Sequence, residues 1–273
     1  MQIQEIKKFS DEINSKFYFD FDLKKSNWFN IGGKTKVYFK VESLADLVLF
    51  LKRFGIKERI YVLGAGSNIL ISDGIFDGIV IKLGKSFSNI SLLPNNIIIA
   101  GSSCTDKKLS DFALENEIGG LEFLACIPGT IGGGLKMNAG CFNKEFKDIL
   151  VSIQAIDREG RVITIPANKI LFEYRKNDLA EDLIFLSASF KGEKKKQSDI
   201  KKKVEELKTK KESSQPTKIK TSGSTFKNPI KQTKKKVWEL IKESVPLNTS
   251  FGDACISSKH SNFFVIRITL ALM

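Results

Sequence analysis

Seven of the chain's 20 glycines fall between Gly119 and Gly140. Isolated glycines weaken helices and strands, so a cluster needs a physical reason. One reason is a series of tight turns. The other is backbone that must approach a ligand more closely than a Cβ allows. A second segment, Gly64-Ala65-Gly66-Ser67-Asn68, directly follows a strand pattern. It offers consecutive backbone N–H groups that can cup an anion, and Ser67 and Asn68 add side-chain donors. Ile69 follows where the six-residue G-x-G-x-x-G spacing would continue, and the full G-x-x-x-x-G-K-[ST] pattern does not occur. Neither a doubly wound dinucleotide site nor a Walker loop is expected.

The rest of the sequence narrows the class by exclusion. At 273 residues and 42% apolar content, the chain is long enough for one large domain or two to three small ones, with sizeable cores. The longest apolar stretch, Phe263–Met273, contains Arg267 and is too short to span a bilayer. The N-terminus lacks the apolar centre of a signal peptide. A soluble cytoplasmic protein without a membrane partner is expected. Four cysteines at 104, 126, 141 and 255 form no CxxC pair and are expected as reduced, buried or inert thiols. A single histidine, His260, excludes chemistry that needs two, and no metal site is expected.

The formal charge of +13 is local. Residues 191–236 hold 17 lysines, no arginine and five acidic residues, a balance of +12, which leaves about +1 for everything else. One interpretation is a solvated basic face. The other is a patch for an anionic ligand or RNA. The segment lacks the interleaved aromatic side chains of a single-strand binder, and an RNA-binding function would leave both glycine segments unexplained.

Residues 1–25 read as a lead-in helix or irregular segment. Lys36–Val41, Arg59–Leu63, Gly78–Leu83, Asn96–Ala100 and Leu183–Phe190 read as strands, and 153–165 as a hairpin around Asp157–Gly160. Ser43 and Thr105 are N-caps of two amphipathic helices, the second running to Glu117 and stopped by Gly119-Gly120. Ile200, Val204 and Leu207 form a narrow stripe on a basic helix, and Val237, Leu240 and Ile241 mark another. The order of elements predicts an α+β fold, with a boundary near 191–200.

Six blocks in order then carry a resemblance: Asn27-Trp28-Phe29-Asn30-Ile31-Gly32-Gly33, Val62–Asn68, Gly120–Gly140, Glu173-Tyr174-Arg175, Ser222–Pro229 and Ser257–Phe263. Together they resemble the UDP-N-acetylenolpyruvoylglucosamine reductase (MurB) family, in its shorter type II branch. The resemblance implies an α+β fold: an FAD-binding domain of the vanillyl-alcohol-oxidase (PCMH) type over residues 1–195, in two α+β subdomains split near 85–95. A smaller substrate-binding domain follows over 196–273. It implies FAD and NADPH as cofactors, a UDP-sugar as substrate, no nucleic acid, and a monomer working in peptidoglycan precursor synthesis. Hydride addition to the enolpyruvyl vinyl carbon leaves an enolate-like carboxylate, which needs a fixed cation, and a carbon that must then be protonated. The resemblance assigns Arg175 to the cation and Ser224 to the proton donor, with Tyr174 and Asn228 on the substrate. It assigns Gly64, Ala65, Gly66, Ser67, Asn68, Pro128, Gly129, Thr130, Gly132, Gly133, Asn138 and Ala139 to FAD. His260 is expected to be structural.

The chain departs from the family pattern at its end. No glutamate follows Glu243, whereas the family continues past the K-H-x-N-F block to a glutamate that assists protonation. The substrate domain is therefore expected to be incomplete, with an exposed apolar stub at Phe263–Met273. A frameshift near codon 265 is one expectation. A non-catalytic remnant that still binds FAD or UDP-sugar is the alternative to a working reductase.

Overall fold

The computed structural model describes residues 1–216 and 219–267. It is built on two large cores and a smaller cluster of Leu23, Tyr38, Leu63 and Val80. The first lies on a four-stranded sheet of β1 (Lys16–Asp22), β2 (Lys34–Val41), β3 (Ile60–Val62) and β4 (Ile75–Leu83), in the order β1-β2-β4-β3. The β1–β2 pair is antiparallel and the other two pairs are parallel. Helices α1 (Ile3–Ser10) and α2 (Leu44–Phe54) contribute to its core, where Phe39, Phe50, Phe54, Ile79 and Ile81 are fully buried. The Ser43 hydroxyl caps α2 by accepting from the Asp46 N–H at 3.1 Å.

The expected lead-in segment is corrected here, because Lys16–Asp22 is a full strand. Phe17, Phe19 and Phe21 alternate with polar residues, and Phe17 stacks on its cross-strand partner Phe39 at 4.1 Å. That pairing with a distant strand holds the segment extended.

The second core lies on a five-stranded antiparallel sheet. Its order is Val162–Pro166, Leu150–Ile156, Ile184–Lys191, then β6 (Ile97–Gly101) and β5 (Ile90–Leu93). Helices α3 (Asp106–Glu115) and α4 (Ile131–Lys136) belong to this half, whose core gathers Ile98, Leu109, Leu135, Phe146, Ile153 and Phe190. Thr105 caps α3 as expected, accepting from the Lys108 N–H at 3.2 Å. The helix ends earlier than Glu117. Glu117 itself takes the left-handed conformation, and Ile118–Gly119 pairs as a short strand with Glu193–Lys194.

Helix α5 (Gln197–Ser214) buries the expected stripe of Ile200, Val204 and Leu207. Leu207 packs into the second core, so the chain leaves that core after α5 rather than near 195. A three-residue stripe says that a helix is packed, not what it packs against. Beyond it come α6 (Val237–Ser244) and a three-stranded antiparallel sheet of Ser250–Phe251, Ala254–Ile256 and Phe264–Ile266. The expected stub is thus corrected up to Ile266. Phe263 is buried and Phe264–Ile266 hydrogen-bonds to Ala254–Ile256. Residues 268–273 lie outside the described residues.

All four cysteines are free thiols. The Cys126 thiol lies below the ordinary range, chiefly through its neighbour Cys141. No helix among the described residues is long and apolar enough to cross a membrane.

Candidate active site

The two glycine segments meet in space. A Cβ on Gly64 would lie 2.8 Å from Thr130 Oγ1 and 4.0 Å from the Gly133 Cα. The first segment is the turn leaving β3, and it is gripped from behind. The Trp28 N–H donates to the Gly66 carbonyl at 2.9 Å. The half-buried Lys82 ammonium on β4 donates to the Gly64 carbonyl, and burial lowers its pKa. Gly66 has φ +68°, and a Cβ there would stand 2.3 Å from the Ser26 carbonyl oxygen, so only glycine fits without strain. The second segment is pinned to the end of β6, where the Ile131 and Gly132 N–H groups donate to the Cys104 and Ser102 carbonyls, both at 2.9 Å.

One group of donors is left over. Among the described residues, the backbone N–H groups of Gly64, Ala65, Gly66, Ser67 and Asn68 have no protein acceptor. Successive N–H groups in one turn, beside a half-buried lysine, form an anion-binding concavity. A cavity of 310 Å³ lies at Ala65 on the side where Trp28 and Lys82 hold the loop, lined also by Asn27 and Tyr38.

Tyr174 and Arg175 sit at the tip of the small hairpin formed by Phe172–Glu173 and Lys176–Asn177. Arg175 has φ +58°. Its Nη2 donates to the Gly140 carbonyl at 2.7 Å and its Nη1 to the Asn138 carbonyl at 3.3 Å. Glu145 is 3.4 Å from Nη1. The guanidinium also lies over the Tyr174 ring, 4.9 Å from its centroid. Three bonds leave it with donors to spare, so the cation is oriented before any anion arrives.

The segment after α5 closes the site. The Lys227 ammonium donates to the Arg175 carbonyl at 3.2 Å, and the Asn228 amide donates to the Tyr174 hydroxyl at 3.1 Å. At the other end of this loop, Asn68 Nδ2 donates to the Ser222 carbonyl at 3.0 Å. Ser224 is exposed between these two anchor points, and its hydroxyl has no partner among the described residues. Asn262 holds the loop in shape. Its carbonyl and Oδ1 accept from Thr225 and Phe226, and its Nδ2 donates to the Phe226 carbonyl.

Comparison with known proteins agrees with this arrangement. The FAD binding domain family matches residues 35–166, and the UDP-N-acetylenolpyruvoylglucosamine reductase C-terminal domain family matches residues 215–269. The UDP-N-acetylenolpyruvoylglucosamine reductase of Pelagibacter ubique is 75% identical over 265 residues, which are 97% of this chain and 88% of that protein. The chain belongs to the UDP-N-acetylenolpyruvoylglucosamine reductase family. The enzyme of that name from Rickettsia typhi is 44% identical over 253 residues, covering 93% of this chain and 84% of that one. The solved structure of the Thermus caldophilus reductase superposes with a TM-score of 0.80 at 28% identity, over 93% of this chain and 88% of that one.

Within this family fold the residues present fit FAD. Five unpartnered N–H groups suit a diphosphate, and the close approach of Gly64 to Thr130 and Gly133 brings the two glycine segments together beside them. Of the residues expected to hold FAD, Ala65 also lines the cavity, and Pro128 belongs to the turn before Gly129 and Thr130. Asn138 and Ala139 do something else. Asn138 is fully buried, and its amide donates to Glu145 Oε2 at 2.9 Å and to the Glu173 carbonyl at 3.1 Å, while its Oδ1 accepts from the Lys147 N–H. Ala139 bonds through its backbone to Gly134 and Phe146. Both hold the Arg175 hairpin against α4.

Three residues of the site escaped the sequence. Glu145, Lys82 and Asn262 act only through partners that are distant in the chain. Asn262 lies within the Ser257–Phe263 segment, yet nothing in its local pattern gives it a role. His260 is half-buried between Trp238 and Phe263, where burial lowers its pKa, consistent with packing rather than chemistry.

Proposed function

We propose that this chain reduces UDP-N-acetylglucosamine enolpyruvate to UDP-N-acetylmuramate, in peptidoglycan precursor synthesis. The observation that carries this is the Ser222–Asn228 loop. It is tied to Asn68 on the flavin segment at one end and to Tyr174 and the Arg175 carbonyl at the other, with Ser224 between, which supports the expected roles of Arg175 and Ser224. FAD, when bound, supplies the hydride that it has accepted from NADPH.

Arg175 binds the enolpyruvyl carboxylate and stabilises the charge that spreads over it as the vinyl carbon is reduced. Its guanidinium stays charged at any working pH, and its fork suits a carboxylate. Ser224 delivers the proton to the adjacent carbon. A free hydroxyl is a weak acid, and the basicity of the enolate-like intermediate drives the transfer. Asn228 and Tyr174, tied to each other, orient the UDP-sugar. The lysines between positions 208 and 227, Lys227 among them, offset the charge of its diphosphate. The same reading makes the enzyme a cytoplasmic monomer whose partners are small molecules, neither nucleic acid nor membrane.

The test is NADPH oxidation by the 273-residue chain with FAD supplied, with and without the enolpyruvyl UDP-sugar. Oxidation that depends on that sugar is the expected result. Bound flavin without sugar-dependent turnover would leave a binding protein rather than a reductase.

A further inference from the structure

One buried group stands out beside the flavin cradle. Asp106, the first residue of α3, is fully buried, and neither of its carboxyl oxygens has a hydrogen-bond partner among the described residues. Its own N–H donates to the Gly129 carbonyl at 3.2 Å. Its Oδ2 faces the gap between the two glycine segments. A Cβ on Gly129 would lie 2.7 Å from that oxygen and 3.9 Å from Ser67 Oγ. Gly129 is thus a glycine because Asp106 occupies the space, and Ser67 is the other polar side chain beside the same point. The Ser67 hydroxyl is also without a partner among the described residues.

A buried carboxylate with no donor and no cation is costly, so such a group keeps its proton. Burial alone raises the Asp106 pKa well above the ordinary value. The surroundings carry no compensating charge. The Gly129–Thr130 turn and the 64–68 loop have no ionisable side chain. Cys104 is a thiol pushed up to about 11, chiefly by burial. Lys107 pairs with Asp111 at 2.7 Å, and Lys108 is exposed. On the elements packed against α3, Glu122 accepts from the Gly120 N–H and Lys211 donates to the Cys126 carbonyl.

We propose that Asp106 is a positioning residue of the flavin cradle: its carboxyl carries a proton and, with the diphosphate bound, donates it to the Ser67 hydroxyl, which rotates to meet it and so points its own proton outward as a donor to the diphosphate. This rests on the flavin assignment above. The direction of donation is what matters. An ionised Asp106 would instead accept from Ser67, withdrawing that donor and placing a negative charge beneath a dianion. The substitution Asp106→Asn keeps the proposed direction, because a neutral amide has an N–H to donate. A leucine breaks the chain without adding charge.

Two measurements test it on the purified chain. The first is FAD affinity, from flavin fluorescence, for the wild type, Asp106→Asn, Asp106→Leu, Ser67→Ala and the Asp106→Leu/Ser67→Ala double variant. Asp106→Asn is expected to bind within about threefold of wild type, and Asp106→Leu and Ser67→Ala each about tenfold more weakly, the size of one lost bond to a charged group. Because both act on one chain, the double variant is expected to be no weaker than either single one. Additive losses, or an Asp106→Asn variant as weak as Asp106→Leu, would overturn the proposal.

The second is unfolding of the flavin-free chain between about pH 5 and 9. An acid that keeps its proton when folded but loses it when unfolded makes the unfolded state bind fewer protons. Stability is therefore lost as pH rises from the unfolded toward the raised folded value. The wild-type unfolding constant is expected to grow relative to Asp106→Asn by about tenfold per pH unit within that window. Parallel curves would overturn the proton assignment. This second readout holds even if the chain binds no FAD, a result that would refute the flavin assignment instead.

Discussion

Asn68 and Ser222 are joined by a side-chain to carbonyl hydrogen bond of 3.0 Å that spans 154 positions of chain. It is the point at which the flavin segment touches the loop that carries Ser224. The neighbouring Gly223 sits close enough that a Cβ would lie 3.4 Å from the Asn68 amide nitrogen.

Asn68→Ala removes that strut while leaving the backbone cup intact. One ordinary hydrogen bond is worth about 1 kcal/mol net, a factor of about five. The KM for the enolpyruvyl UDP-sugar is expected to rise by about that factor, with a smaller change in FAD affinity. Steady-state kinetics beside a flavin titration checks it. An equal loss on both would mean that Asn68 serves the flavin alone.

Arg175→Lys keeps a positive charge but loses the fork held by the Gly140 and Asn138 carbonyls. A kcat about 10² to 10³ lower is expected, the scale seen when a fixed donor to a developing anion is removed. The bound-flavin absorbance should be unchanged. Ser224→Ala is expected to lower kcat by about 10² or more with little change in KM. A rate within about twofold of wild type would remove either residue from its role.

Gly66→Ala meets two obstacles at once, a positive φ and a backbone oxygen where its methyl would go. Together they are expected to cost about 2–4 kcal/mol. Thermal unfolding would register this as a lower Tm, and FAD affinity would fall because the turn that presents the N–H groups shifts.

His260 supplies a pH dependence. Burial lowers its pKa, so the folded chain binds fewer protons than the unfolded one near the ordinary histidine value. Stability is then present above about pH 6.5 and is lost as pH falls through the lowered folded value. Melting curves between about pH 7.5 and 5 should show this loss, and His260→Gln should flatten it. The effect belongs to the ring packed against Trp238 and Phe263, and kcat near neutral pH should change little in that variant.

The local pattern was enough where a residue's role depends on its near neighbours. Ser43 and Thr105 cap their helices because a short hydroxyl side chain reaches an N–H three residues on. The Gly64–Asn68 turn is legible for the same reason, since consecutive free N–H groups need only that turn. Lys16–Asp22 was not legible as a strand, although Phe17, Phe19 and Phe21 alternate, because what holds it extended is a separate strand, Lys34–Val41. The stop of α3 was displaced because Glu117 adopts the left-handed turn without being a glycine.

By itself the sequence determined the two glycine segments, the helix caps and the alternation of the strands, whereas Arg175 and Ser224 were singled out only by the family resemblance. The former follow from covalent geometry and from contacts a few residues apart. Tertiary structure decided which of them meet. It turned Asn138 into a buried hub, aimed Arg175 with two carbonyls, set Lys82 beneath Gly64, and left Asp106 without a partner beside Gly129. Each of these depends on desolvation and on hydrogen bonds between segments far apart in the chain. A side chain's burial and its orphaned or satisfied bonds exist only once those segments are packed together.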